Sequence, residues 1–162
     1  MKEGNNLLDN DELIALAKYA VSRENYRDAL VKLKYLLTRE GTHVDAYALL
    51  GRIYASLELY EKAIVAFEQY LDFEPEVIPE RFHLGAVYRQ MGDNAKALEV
   101  WETVLERAPA FPPALYNKAL FLLDEGDKEE AAKVLSYIVD NVTPDDDHVE
   151  MANRMLSSLN NH

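Results

Sequence analysis

The sequence predicts an all-α array of paired helices, and three observations carry that reading. The chain of 162 residues repeats with a period of 34: counting Asn10 as position 1, repeats begin at Asn10, Val44, Ile78 and Pro112 without insertion. Position 20 is alanine every time, as Ala29, Ala63, Ala97 and Ala131, each inside a run of helix formers. Pro75 and Pro109 share position 32, where a residue that cannot continue a helix ends one.

Each repeat divides into a helix A and a helix B. In order, the spacing predicts pairs at 10–22 with 26–39, 44–56 with 60–73, 78–90 with 94–107, and 112–124 with 128–141. Asn10 is the expected N-cap of the first helix, with Asp11 and Glu12 suiting the positive end of its dipole. Pro79 and Pro113 fall in first turns, where a missing N–H costs nothing. Gly51, Gly85 and Ala119 at position 8, with the position-20 alanines, are small where the helices of a pair must approach. Ala63→Leu is therefore expected to cost about 1–3 kcal/mol by overpacking. After Asp145-Asp146-Asp147, an N-capping run, Val149, Met151, Ala152, Met155, Leu156 and Leu159 form an apolar stripe at helical spacing, expected to close the last repeat, with a partner-binding helix as the alternative reading.

Positions 7, 8 and 11 read Leu50, Gly51, Tyr54 and then Leu84, Gly85, Tyr88, followed by aromatic Phe67 and Trp101 at position 24. With the alanines and prolines, this pattern resembles the tetratricopeptide repeat over residues 10–143. The outer repeats depart from it, with Ala17, Ala20 and Gly41 in the first and Lys118 and Thr143 in the fourth. The resemblance implies a right-handed α-α superhelix with an N-terminal lead at 1–9, repeats at 10–43, 44–77, 78–111 and 112–144, and a capping helix and tail at 145–162.

It also implies that helix A lines a concave groove through positions 2, 5, 6, 9, 12 and 13. The groove residues expected on that basis are Lys18, Arg52, Phe82, His83, Arg89, Tyr116, Asn117, Leu120 and Leu123. Lys18 and Arg52 share position 9 of successive repeats, and Arg89 extends the cationic set, which suits the carboxylates of a peptide. Phe82, Tyr116, Leu120 and Leu123 would receive apolar side chains. Some relatives grip the C-terminal carboxylate of heat-shock chaperones with a fixed Lys, Asn and Arg set. Here those slots hold Ile14, Lys18, Leu49, Pro79 and His83, or Ala48, Arg52, His83, Pro113 and Asn117, and that activity is not transferred.

Composition bounds the rest. At 49% apolar and 28% charged residues the chain can bury a core, and a net charge of −12 opposes nucleic acid and anionic lipid as partners. No apolar run reaches the ~18 residues of a membrane span, and the opening Met1-Lys2-Glu3-Gly4-Asn5-Asn6 carries no secretory pattern, so a cytoplasmic location is expected. There is no cysteine, no phosphate-cradling glycine loop, and no zinc spacing among His43, His83, His148 and His162. No catalytic residue, metal or cofactor is expected. The expected function is a non-catalytic adaptor that binds a peptide or segment of a partner protein. Two alternatives stand beside it. One is a chaperone for a secreted or assembling client, since small size and acidity resemble the tetratricopeptide chaperones of type III secretion; the other is a self-associating scaffold.

Overall fold

A computed structural model describes residues 8–161, so the expectations on residues 1–7 of the lead and on His162 lie outside it. The described residues form nine helices and no strand. The chain divides into two compact units, Met1–Pro75 and Glu76–His162.

The first unit holds α1 (Asn10–Ser22), α2 (Tyr26–Leu37), α3 (Val44–Ser56) and α4 (Tyr60–Phe73). Its core joins Leu13, Ala17, Ala20, Ala29, Leu33 and Leu36 of the first helix pair to Ala46, Leu49, Leu50, Ile53 and Ala66 of the second. The second unit holds α5 (Ile78–Gln90), α6 (Asn94–Arg107), α7 (Pro112–Asp124), α8 (Lys128–Asn141) and α9 (Asp147–Asn160). Val149 and Ala152 of α9 are buried with Leu115, Ala119, Leu135 and Ile138, so the last helix closes the α7–α8 pair.

Helix limits follow the period, with two differences. The N-cap of α1 is Asp9, one residue before the expected Asn10. Asp9 accepts from the Glu12 backbone N–H at 2.8 Å, and the Glu12 carboxylate accepts from the Asp9 N–H at 2.8 Å, a reciprocal capping box. Asn10 instead accepts from Arg39 at 2.8 Å and ties α1 to the segment after α2. Helix α2 ends at Leu37 and not at residue 39, because Thr38 and Arg39 bond back three residues, to Tyr35 and Leu36, and tighten the last turn.

The small residues do what their spacing implies. All four position-20 alanines are fully buried. A Cβ built on Gly51 would lie 2.7 Å from the Phe67 ring, so α3 and α4 meet with an aromatic ring against bare backbone. Lys118, the departure at position 7 of the fourth repeat, is paired with Glu102 of α6 at 2.8 Å, which compensates its partly buried ammonium.

The turn inside each helix pair uses a left-handed residue at position 15. In the second unit these are Gly92 and Gly126, at φ 85° and 83°; in the first they are Glu24 and Glu58, at φ 56° and 57°. The next residue caps helix B. Asn25, Asp93 and Asp127 each accept from a backbone N–H three residues on, whereas Leu59 offers no side-chain acceptor.

Candidate functional site

In the first unit, Lys18 and Arg52 occupy equivalent places on α1 and α3, two helices that pack together, and both side chains are exposed. Among the described residues Lys18 has no ion-pair partner. Toward the N-terminal ends of the same helices, Asp11, Asp45, His43 and Ile14 line a cleft of about 270 Å³. Asp11 and Lys18 are seven residues apart, about 10 Å along the helix. This face is acidic at the helix N-termini, where the dipole favours carboxylates, and cationic farther along.

The other expected groove residues belong to the second unit. Arg89 of α5 donates to the Asn117 side-chain carbonyl oxygen, and the Asn117 amide donates to the Pro113 carbonyl at 2.7 Å. The structure thus brings Arg89 and Asn117 together across α5 and α7. His83 is exposed, its ring 5.9 Å from Phe82. Phe82 is half-buried: it stacks on Trp101 at 6.0 Å and meets the edge of Phe111 at 5.6 Å. Much of the ring is therefore engaged by α6 and by the segment leading into α7.

Tyr116, Leu120 and Leu123 lie along one side of α7, at i, i+4 and i+7, and all three are half-buried. Tyr116 meets His148 edge-on at 5.9 Å. It also lines a cleft of about 330 Å³ with Met151, Arg154, Met155 and Ser158 of α9. Those four residues are not among the expected groove residues, because the stripe on α9 reads first as a cap, with a partner-binding helix as the alternative. Met151 and Met155, four residues apart beside the buried stripe, are the signal that could have placed them there. Methionine is flexible and polarizable enough to conform to varied apolar partners.

Electrostatics fix the start of α9. Asp146 accepts from the His148 backbone N–H at 2.8 Å and faces the His148 imidazole at 2.8 Å. These two hydrogen bonds, the backbone one foremost, hold the Asp146 carboxyl below the usual aspartate value. In the second unit Arg81 is lowered by burial and then by the nearby Arg107, which itself pairs with Glu76 at 3.4 Å.

A further cleft, of about 540 Å³, lies in the first unit between Leu37 of α2, Tyr47, Leu50 and Tyr54 of α3, and Lys62 and Val65 of α4. Its counterpart in the second unit is smaller, about 370 Å³, and includes Leu105, Leu115, Lys118 and Lys133, each two repeat periods on from a residue of the first. Among the described residues no cluster of histidine and acidic side chains could hold a metal ion, and no helix is long and apolar enough to cross a membrane.

Tetratricopeptide repeat models match residues 20–84 and 83–146. The chain belongs to the tetratricopeptide repeat family. As a tetratricopeptide repeat protein it has an all-α helical-repeat fold and is a protein–protein interaction module, of a family that is generally non-catalytic. No curated protein matches its sequence. Among solved structures, MamA is 25% identical with a TM-score of 0.75 over 85% of this chain and 79% of that one. YrrB, a TPR protein with an unusual peptide-binding site, is 21% identical with a TM-score of 0.73 over 90% of this chain and 74% of its own. TTC0263, a thermophilic TPR protein in Thermus thermophilus, is 20% identical with a TM-score of 0.70 over 97% of this chain and 84% of its own.

Proposed function

We propose that this tetratricopeptide repeat protein is an adaptor that binds an extended or helical segment of a partner protein on its helix-A faces. The observation that carries the reading is the row of Tyr116, Leu120 and Leu123 on α7 beside a methionine-lined cleft: half-buried apolar side chains next to space for an incoming one. Lys18 and Arg52 on the first unit supply a cationic subsite for carboxylates. Arg89 and Asn117 add a polar pair whose unused hydrogen-bonding capacity suits a peptide backbone or side-chain amide. His83, exposed beside Phe82, offers a further polar contact. The peptide-binding site of YrrB supports this use of the fold. A cytoplasmic location and the absence of catalysis belong to the same proposal.

The test is a peptide-display selection on the full chain, followed by titration of the selected peptides against Arg52→Glu and Leu120→Ala. Arg52→Glu is expected to weaken binding about tenfold or more at low salt and much less at high salt. Leu120→Ala is expected to weaken it at every salt concentration. Peptides that bind both variants as tightly as the unaltered protein would place the interaction elsewhere.

A further inference from the structure

One face of α1 is built like a helix-packing surface yet meets no helix among the described residues. In the first unit, positions 3, 7 and 10 of α3 are Ala46, Leu50 and Ile53, at 0%, 6% and 0% exposure in the core shared with α1 and α2. The same positions on α1 are Glu12, Leu16 and Tyr19, and Leu16 and Tyr19 are 39% and 65% exposed. The register that α3 fills with a preceding helix pair is left open on α1.

We propose that this face pairs with the same face of a second copy, α1 against α1 in antiparallel orientation about a two-fold axis. The spacing of Glu12, Leu16, Tyr19 and Arg23 is four, three and four residues, the interval of a helix-packing seam. Those four residues are also symmetric about the midpoint between Ala17 and Lys18. In an antiparallel pair Leu16 then opposes Tyr19 of the other copy, and Glu12 opposes Arg23, so every contact is apolar with apolar or acid with base. A two-fold interface requires such self-complementarity.

Charge selects the same region. Residues 8–41 carry six acidic and six basic side chains, whereas the whole chain carries −12. Two copies can approach through this neutral segment, while the remaining surface repels its like. The closing helix α9 does not offer an equivalent surface. The exposed side of α9 presents Glu150, Asn153, Arg154 and Ser157, with Met151 its one large apolar side chain. A two-fold pairing of one face uses that face up, so association through it stops at a dimer and does not grow into a filament.

Sedimentation of the full chain from micromolar to millimolar concentration tests this. The mass is expected to rise from 18.5 kDa to twice that value. Tyr19→Glu should hold the chain at monomer mass with unchanged helical ellipticity, since the side chain is largely exposed. Arg23→Glu should weaken the dimer several-fold in a salt-dependent way. Met151→Glu should dimerise like the unaltered protein. A chain that stays monomeric throughout, or a dimer that survives Tyr19→Glu or is lost in Met151→Glu, overturns the proposal. Peptide binding is read separately, so failure here is distinguishable from failure of the groove reading.

Discussion

The indole of Trp101 lies directly on the backbone of Gly85: a Cβ there would sit 2.7 Å from Trp101 Cδ1 and closer still to Nε1, which donates to the Phe82 carbonyl at 3.2 Å. The ring cannot retreat without giving up that hydrogen bond and its stack on Phe82. Gly85→Ala is therefore expected to destabilise the protein by about 1–3 kcal/mol through overpacking. Urea unfolding followed by far-ultraviolet ellipticity measures the loss.

Glu58 holds a left-handed backbone where the second unit uses Gly92 and Gly126. A residue with a Cβ is disfavoured there by about 1–2 kcal/mol, and glycine gives part of that back as entropy in the unfolded chain. Glu58→Gly should raise stability by up to about 1 kcal/mol, and Glu24→Gly should act in the same direction. Thermal unfolding of the two variants, singly and together, checks both the sign and the additivity.

Leu59 stands at the N-cap of α4 with φ −89° and ψ 65°, nearly the backbone of Asp93 at φ −87° and ψ 72°, but has no acceptor to offer. Leu59→Asp should therefore cap α4 and stabilise the protein by about 1 kcal/mol. An unchanged midpoint in chemical unfolding would show that the leucine, 41% exposed, makes contacts worth as much as a cap.

The capping of α9 depends on pH. The Asp146 carboxyl is lowered below its ordinary value of 3.8 by its bonds to His148, the backbone bond foremost. A depressed carboxyl contributes stability that is present above its unfolded-state value and is lost as pH falls through the folded one. Acid titration should therefore loosen α9 below about pH 4, and Asp146→Asn should flatten that part of the profile. Amide exchange across residues 147–160 reads the change.

The repeat architecture was legible because its determinants are local and periodic: alanine every 34 residues, glycine under an aromatic ring, proline after the helix end. The left-handed glutamates were not legible, since glutamate does not advertise positive φ and only the register with Gly92 and Gly126 reveals it. The α1 cap was misplaced by one residue because Asp9 and Asn10 are both good caps, and Arg39, 29 residues away from Asn10, decides between them. The groove positions are what the tetratricopeptide resemblance implies, and that resemblance does not say which neighbour covers them. Phe82 is engaged by Trp101 and Phe111, and α9 brings Met151 and Met155 beside Tyr116, through packing between elements that no spacing rule encodes.

Trp101 is the chain's single tryptophan, and it is buried in the second unit. Indole emission during unfolding is therefore a record of that unit, while ellipticity sums over the helices of both. Where the two curves coincide, the units melt as one cooperative body; where they separate, the gap between them measures how much of the chain can come apart while the other part stays folded.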